Sequence, residues 1–154
     1  MNSIEDITKC NIESIIGDGE TFVLSVTGRS MLPLLGRGDD KIVLRRISAD
    51  EDICGRIAMF RASNGHIIIH RVIRIEGDVV VLKGDGNIVQ EERCSRGEII
   101  AVVERVLYSN GEIAECNSWQ WRLNERLWLG MPLFVRRYAL ALIHRWYDRK
   151  QNKR

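Results

Sequence analysis

Ser30 stands in the run Ser25-Val-Thr-Gly-Arg-Ser-Met-Leu-Pro33, where a strand-like stretch breaks at Gly28 and two bulky apolar residues, Met31 and Leu32, follow the serine. A serine in such a turn becomes a nucleophile only when a base takes its proton. Three histidines are available: His66, His70 and His144. His144 lies in a basic tail, and His66 follows the turn Ser63-Asn64-Gly65. His70 lies inside an apolar run, after Ile67, Ile68 and Ile69 and before Val72, where an imidazole needs a polar partner. Asp85, Glu91 and Glu92, one strand later, are acids that could orient it. Taken singly, Ser30 reads as a plain turn serine and His70 as a satisfied structural residue. Only their order and spacing together point to serine nucleophilic catalysis with histidine as base.

The elements that must position these residues read as β-structure. Residues 21–27, 41–47, 55–62, 66–75, 79–87 and 97–109 are rich in β-branched and apolar residues and are punctuated by Gly and Asp. About six strands with short turns, and no helical crossover between them, predict a mostly antiparallel, curved β-domain over 21–110. Before it, 1–20 holds a short amphipathic helix over about 3–16, with Ser3 as N-cap, and a linker. After it, 111–154 changes character. This extension holds all four tryptophans, and from 118 onward it carries nine Arg or Lys against Glu125 and Asp148. Helices are expected over about 118–129 and 132–149, with Pro132 at a tolerated helix start. On the second helix Val135, Tyr138, Ala139, Leu142, Ile143 and Trp146 form one apolar face, with Arg137, His144 and Asp148 on another. The tail admits three readings: packing on the β-domain, contact with a membrane surface, or docking of a partner protein or acidic peptide.

Composition narrows the functional classes. The chain has 154 residues, 45% hydrophobic and 29% charged, with a formal net charge of +2, ordinary values for one globular domain. They do not suggest a nucleic-acid binder, and no recognisable binding module accompanies the basic tail. The cysteines are Cys10, Cys54, Cys94 and Cys116, without a C-x-x-C pair or zinc spacing, so no metal site is expected and the thiols are read as reduced. No apolar run approaches the roughly 20 residues that span a bilayer. The acidic, polar N-terminus reads as neither signal peptide nor anchor. The expected location is cytoplasmic, with membrane association left open by the tail.

Four elements in sequence order carry a resemblance. Gly28-Arg-Ser-Met-Leu-Pro33 followed by Gly38-Asp39 resembles the catalytic-serine box of type I signal peptidases and LexA-type repressors. Gly55-Arg-Ile-Ala-Met-Phe60 stands in the place of that superfamily's next strand. His70-Arg-Val-Ile73 resembles the "HRV" of signal peptidases that use histidine in place of lysine. Lys83-Gly-Asp-Gly-Asn87 resembles their "KGDxN" box. The resemblance covers about residues 21–108 and implies a coiled β-domain with serine endopeptidase activity, no cofactor, and a leader or precursor peptide as substrate. Ser30 would attack the peptide carbonyl. His70 would act as base and then as acid, oriented by Asp85 or Glu91. The Ser30 N–H would supply part of the oxyanion hole. The substrate would lie extended along strand edges, with small residues at the cleavage point.

This chain departs from the pattern in four places. An acid six residues beyond Asp85 would fit the histidine branch, and that position holds Glu91. Gly28-Arg29, closer to the LexA pattern, replaces the Ser-Gly usual before the serine in signal peptidases, which leaves a second oxyanion donor unassigned. Arg56 replaces an acid in the third element, and the signal peptidases' N-terminal anchor is not found. LexA-type repressors use a lysine base, but neither Lys41 nor Lys83 holds that position, so the histidine reading is favoured. Two other functions remain compatible: a non-catalytic peptide-binding module, and a LexA-like regulatory dimerisation domain.

Overall fold

The computed structural model describes residues 21–36, 39–87 and 89–151. The helix expected over 3–16, Cys10 and Gly38 lie outside them. The fold is mostly β. An antiparallel sheet is built from β1 (Thr21–Ser25), β2 (Lys41–Arg45), β3 (Ile57–Arg61), β4 (Ile67–Glu76), β5 (Val79–Lys83), β6 (Glu91–Ser95), β7 (Ile99–Leu107) and β8 (Ile113–Glu115). Two helices follow, α1 (Trp119–Gly130) and α2 (Leu133–Gln151). The sheet runs β1-β2-β7-β3-β4-β5-β6, and β8 pairs with β7. Two strands, β6 and β8, add to the six expected.

The sheet is coiled, and both of its faces are buried. Successive side chains point to opposite faces, and β3 shows the consequence. Ile57 and Met59 enter one cluster with Ile42, Leu44, Val103 and Trp121. Ala58 and Phe60 enter another with Val72, Val80, Leu82 and Val102. Register shifts at Val43/Leu44, Met59/Phe60 and Val72/Arg74 bend the strands, as expected where bulges add local twist. The three described cysteines are free. Burial pushes the Cys94 thiol up to about 11 and the Cys116 thiol to about 12, so neither is a reactive thiolate at neutral pH.

The C-terminal helices pack on the domain. Ser118 caps α1, its side chain accepting the Trp121 N–H at 3.2 Å. Trp121 is buried in the first cluster. Trp128, Leu140 and Leu32 form a third cluster, joined by Ala139, Ile143 and Tyr147. The inward face of α2 therefore matches the one its apolar periodicity predicts only in part, at Ala139 and Ile143. Arg136 and Leu140 are buried, whereas Val135, Tyr138, Leu142 and Trp146 are exposed. The reason is tertiary: Arg136 has a buried acceptor to reach, which helical periodicity does not register.

Trp128→Ala should destabilise the fold by about 3–5 kcal/mol, whereas Phe134→Ala on the exposed side of α2 should stay within about 0.5 kcal/mol of wild type. Urea unfolding with an unchanged slope would read both.

Candidate functional site

Ser30 opens a turn of backbone that the core holds from below. Met31, Leu32, Leu34 and Leu35 are all buried. The Leu32 N–H donates to the Arg29 carbonyl at 3.2 Å and the Leu35 N–H to the Met31 carbonyl at 3.1 Å. The base of the loop is closed by Asp40, whose carboxylate accepts the Gly36 N–H at 3.2 Å and the Ser109 N–H at 3.2 Å. Gly36 adopts φ +92°, and a Cβ there would lie 2.6 Å from the Gly28 carbonyl oxygen. Only glycine fits this crossing of the chain. Ser30 itself is exposed.

The segment after β5 lies directly beneath Ser30. The Gly86 N–H donates to the Ser30 carbonyl at 2.8 Å. Gly84 has no side chain where one would collide on two sides. A Cβ there would sit 2.5 Å from the Ser30 carbonyl oxygen and 3.1 Å from His70 Nε2. The Ser30 backbone and the imidazole therefore border the same point in space.

His70 is 5% exposed and lies opposite Ala58 of β3, its ring 6.3 Å from that of Phe60. Strand parity decides which acid it meets. Val72 pairs with Leu82, and Leu82 with Glu92, so His70, Val72, Leu82 and Glu92 share one face. Arg71, Lys83 and Glu91 share the other. Glu92 Oε2 lies 3.7 Å from His70 Nδ1, just beyond hydrogen-bond range. Both atoms are buried, and among the described residues neither has another hydrogen-bond partner. Burial pushes the His70 pKa below the ordinary histidine range. The Glu92 charge, and after it that of Asp85, pulls upward without overcoming this.

Asp85 and Glu91, the two acids expected to orient His70, have their carboxylates engaged elsewhere. Asp85 takes a bidentate pair from Arg71, at 2.8 Å from Nε and 2.6 Å from Nη2, with both side chains buried. Glu91 meets Arg74 at 3.2 Å on the surface. Arg71 also donates to the Gly55 carbonyl at 2.8 Å and to Glu125 of α1, which accepts the Trp121 indole N–H as well. Burial disfavours the Arg71 charge, and the Asp85 and Glu125 carboxylates outweigh it, so the guanidinium pKa is raised. The Asp85 carbonyl accepts from Trp128 Nε1 at 3.0 Å and from Arg136 Nη2 at 2.9 Å. This knot of Arg71, Glu125, Trp128 and Arg136 around Asp85 is not apparent in the sequence. The signal for Glu92 is present there, in the alternation counted from Leu82. Of the remaining histidines, His66 is exposed in the β3–β4 turn and His144 is half-buried on α2.

A cavity of about 640 Å³ opens beside the serine loop, walled by Leu32 and Pro33 on one side and by Leu142, Ile143 and Trp146 of α2 on the other. The whole is a coiled β-domain in which the backbone of an exposed loop serine and a buried histidine border the same glycine. The chain belongs to the Peptidase S24-like family, whose model matches residues 1–107. No curated protein matches the sequence.

Removing the Asp85 carboxylate strands a buried guanidinium, and breaking such a pair typically costs about 3–5 kcal/mol. Asp85→Ala should show a loss of that order in chemical denaturation. Glu91→Gln, which touches only an exposed pair, should stay within about 0.5 kcal/mol of wild type.

Proposed function

We propose that this chain is a serine endopeptidase that trims a leader or precursor peptide, with Ser30 as nucleophile, His70 as base and Glu92 as the group that orients and stabilises the imidazole. The observation that carries the reading is the close approach at Gly84, where the Ser30 backbone and His70 Nε2 both come within contact distance of the same glycine. A carboxylate facing Nδ1 favours the proton on that nitrogen and leaves the Nε2 lone pair on the serine side. Catalytic hydrogen bonds in an unliganded site are often long and tighten when substrate binds, so 3.7 Å between Nδ1 and Glu92 fits a resting state.

Ser30 Oγ attacks the peptide carbonyl as its proton passes to Nε2, and the Glu92 charge stabilises the imidazolium that forms. The imidazolium then gives that proton to the leaving amine. Water, deprotonated by the same nitrogen, hydrolyses the ester formed on Ser30. The Ser30 N–H supplies one donor for the oxyanion. The cavity beside Leu32 and Pro33 suits an apolar side chain of the substrate.

Peptide N-termini mapped in cells producing wild type, Ser30→Ala and His70→Ala should reveal products found with wild type alone. On such a peptide each variant should lose about 10⁴-fold or more in kcat. Identical peptide profiles in all three would remove the peptidase reading. The base must be neutral, and His70 titrates below the ordinary histidine range, so kcat/KM should hold at mildly acid pH and fall only below that range. Glu92→Gln removes the charge that raises the His70 pKa. It should move the acid limb to still lower pH while kcat falls about 10²-fold or more. An unmoved limb would deny Glu92 this role.

A further inference from the structure

The inner faces of α1 and α2 are spent on the domain, but their outer faces are not. On α1, Trp119, Leu123 and Leu127 are exposed at four-residue spacing, flanked by exposed Arg122 and Arg126. On α2, Phe134 and Tyr138 repeat the pattern, with Arg145 and Arg149 continuing the same stripe. Tyr138 is 73% exposed, Trp119 70% and Phe134 66%. Large apolar side chains clustered this densely on a surface mark an interaction site.

Charge selects the occupant. The two helices carry two acids, and both are taken: Glu125 by Arg71 and Trp121, and Asp148 by Arg29 at 2.7 Å. None of Arg122, Arg126, Arg145 and Arg149 meets a carboxylate among the described residues. A second copy docked face to face would set arginine against arginine, a repulsive pairing. An anionic bilayer satisfies both halves of the pattern, because its headgroups take the guanidiniums and its acyl boundary takes the aromatic and leucine side chains. No helix of the described residues is long and apolar enough to cross a membrane, so the helices would lie on the surface.

We propose that the outer faces of α1 and α2 dock this protein on an anionic lipid surface. The inner faces contact Leu32, two residues from Ser30, and the Asp85 carbonyl, so docking holds the serine loop close to the bilayer. The proposal does not depend on the peptidase reading.

Full-length protein is sedimented with vesicles of phosphatidylcholine alone and of equal parts phosphatidylcholine and phosphatidylglycerol. It should bind the mixed vesicles and leave the neutral ones. Added salt should weaken binding, and Arg145→Gln with Arg149→Gln should weaken it about 25-fold, at about fivefold for each arginine. Phe134→Asp with Tyr138→Asp should abolish it while the unfolding midpoint stays near wild type, since both side chains are exposed. Equal binding to neutral vesicles would overturn the anionic preference. Absence of binding to mixed vesicles at low salt would overturn the proposal, as would a dimer in light scattering that those aspartates dissolve. Ser30→Ala should bind vesicles as wild type does, so loss of cleavage and loss of docking are read separately.

Discussion

The Arg71–Asp85 pair is the contact on which the rest of the site depends. It is buried, bidentate and formed between a central strand and the loop after β5. Its stabilising value is not the point, because a buried ion pair contributes little net energy even though breaking it is costly. Its effect is positional. Arg71 holds Asp85 from the sheet side, and the Asp85 carbonyl then receives Trp128 from α1 and Arg136 from α2. Gly84 and Gly86, on either side of Asp85, meet the backbone of Ser30. Sheet, serine loop and both helices are thus fixed relative to one another through one residue.

Alternation along β4 lets neighbouring residues serve different ends. His70 faces the cluster that contains Phe60 and Leu82, and Arg71 faces the opposite way toward Asp85 and Glu125. The acidic charge near the site is divided accordingly. Asp85 is neutralised by a guanidinium, whereas Glu92 is left facing an imidazole. Exchanging their partners would require a one-residue slip of β5, which would turn Leu82 and Val80 out of the core, or of β6, which would turn Cys94 out.

These constraints explain what the sequence disclosed. Strands β1 to β5 and β7 were legible because their apolar, β-branched runs are bounded by Gly and Asp. Strand β6 was not, since Glu91-Glu92-Arg93 is charged and only Cys94 of the strand is buried. Its existence depends on pairing with β5, not on its own composition. Ser30 and His70 stood out by type and order. Glu92 is among the acids the sequence offers to His70, but spacing from Asp85 points to Glu91, whereas strand parity decides for Glu92. The existence of α1 and α2 was legible from composition, but the inward face of α2 was legible only in part, because a buried arginine holds it.

The departure at Arg29 gains a structural meaning from the same helices. The residue before Ser30 is an arginine whose guanidinium meets Asp148 of α2. The pair is exposed, so its energy is small. Its geometry nevertheless fastens α2 to one side of Ser30 while Leu140 packs on Leu32 at the other. An arginine at this position is therefore consistent with a domain that carries its own C-terminal helices over the serine loop. A glycine there would leave Asp148 without that cation and remove this polar tie between α2 and the serine loop. The residue before Ser30 and the extension that follows the family-matched region belong to one arrangement.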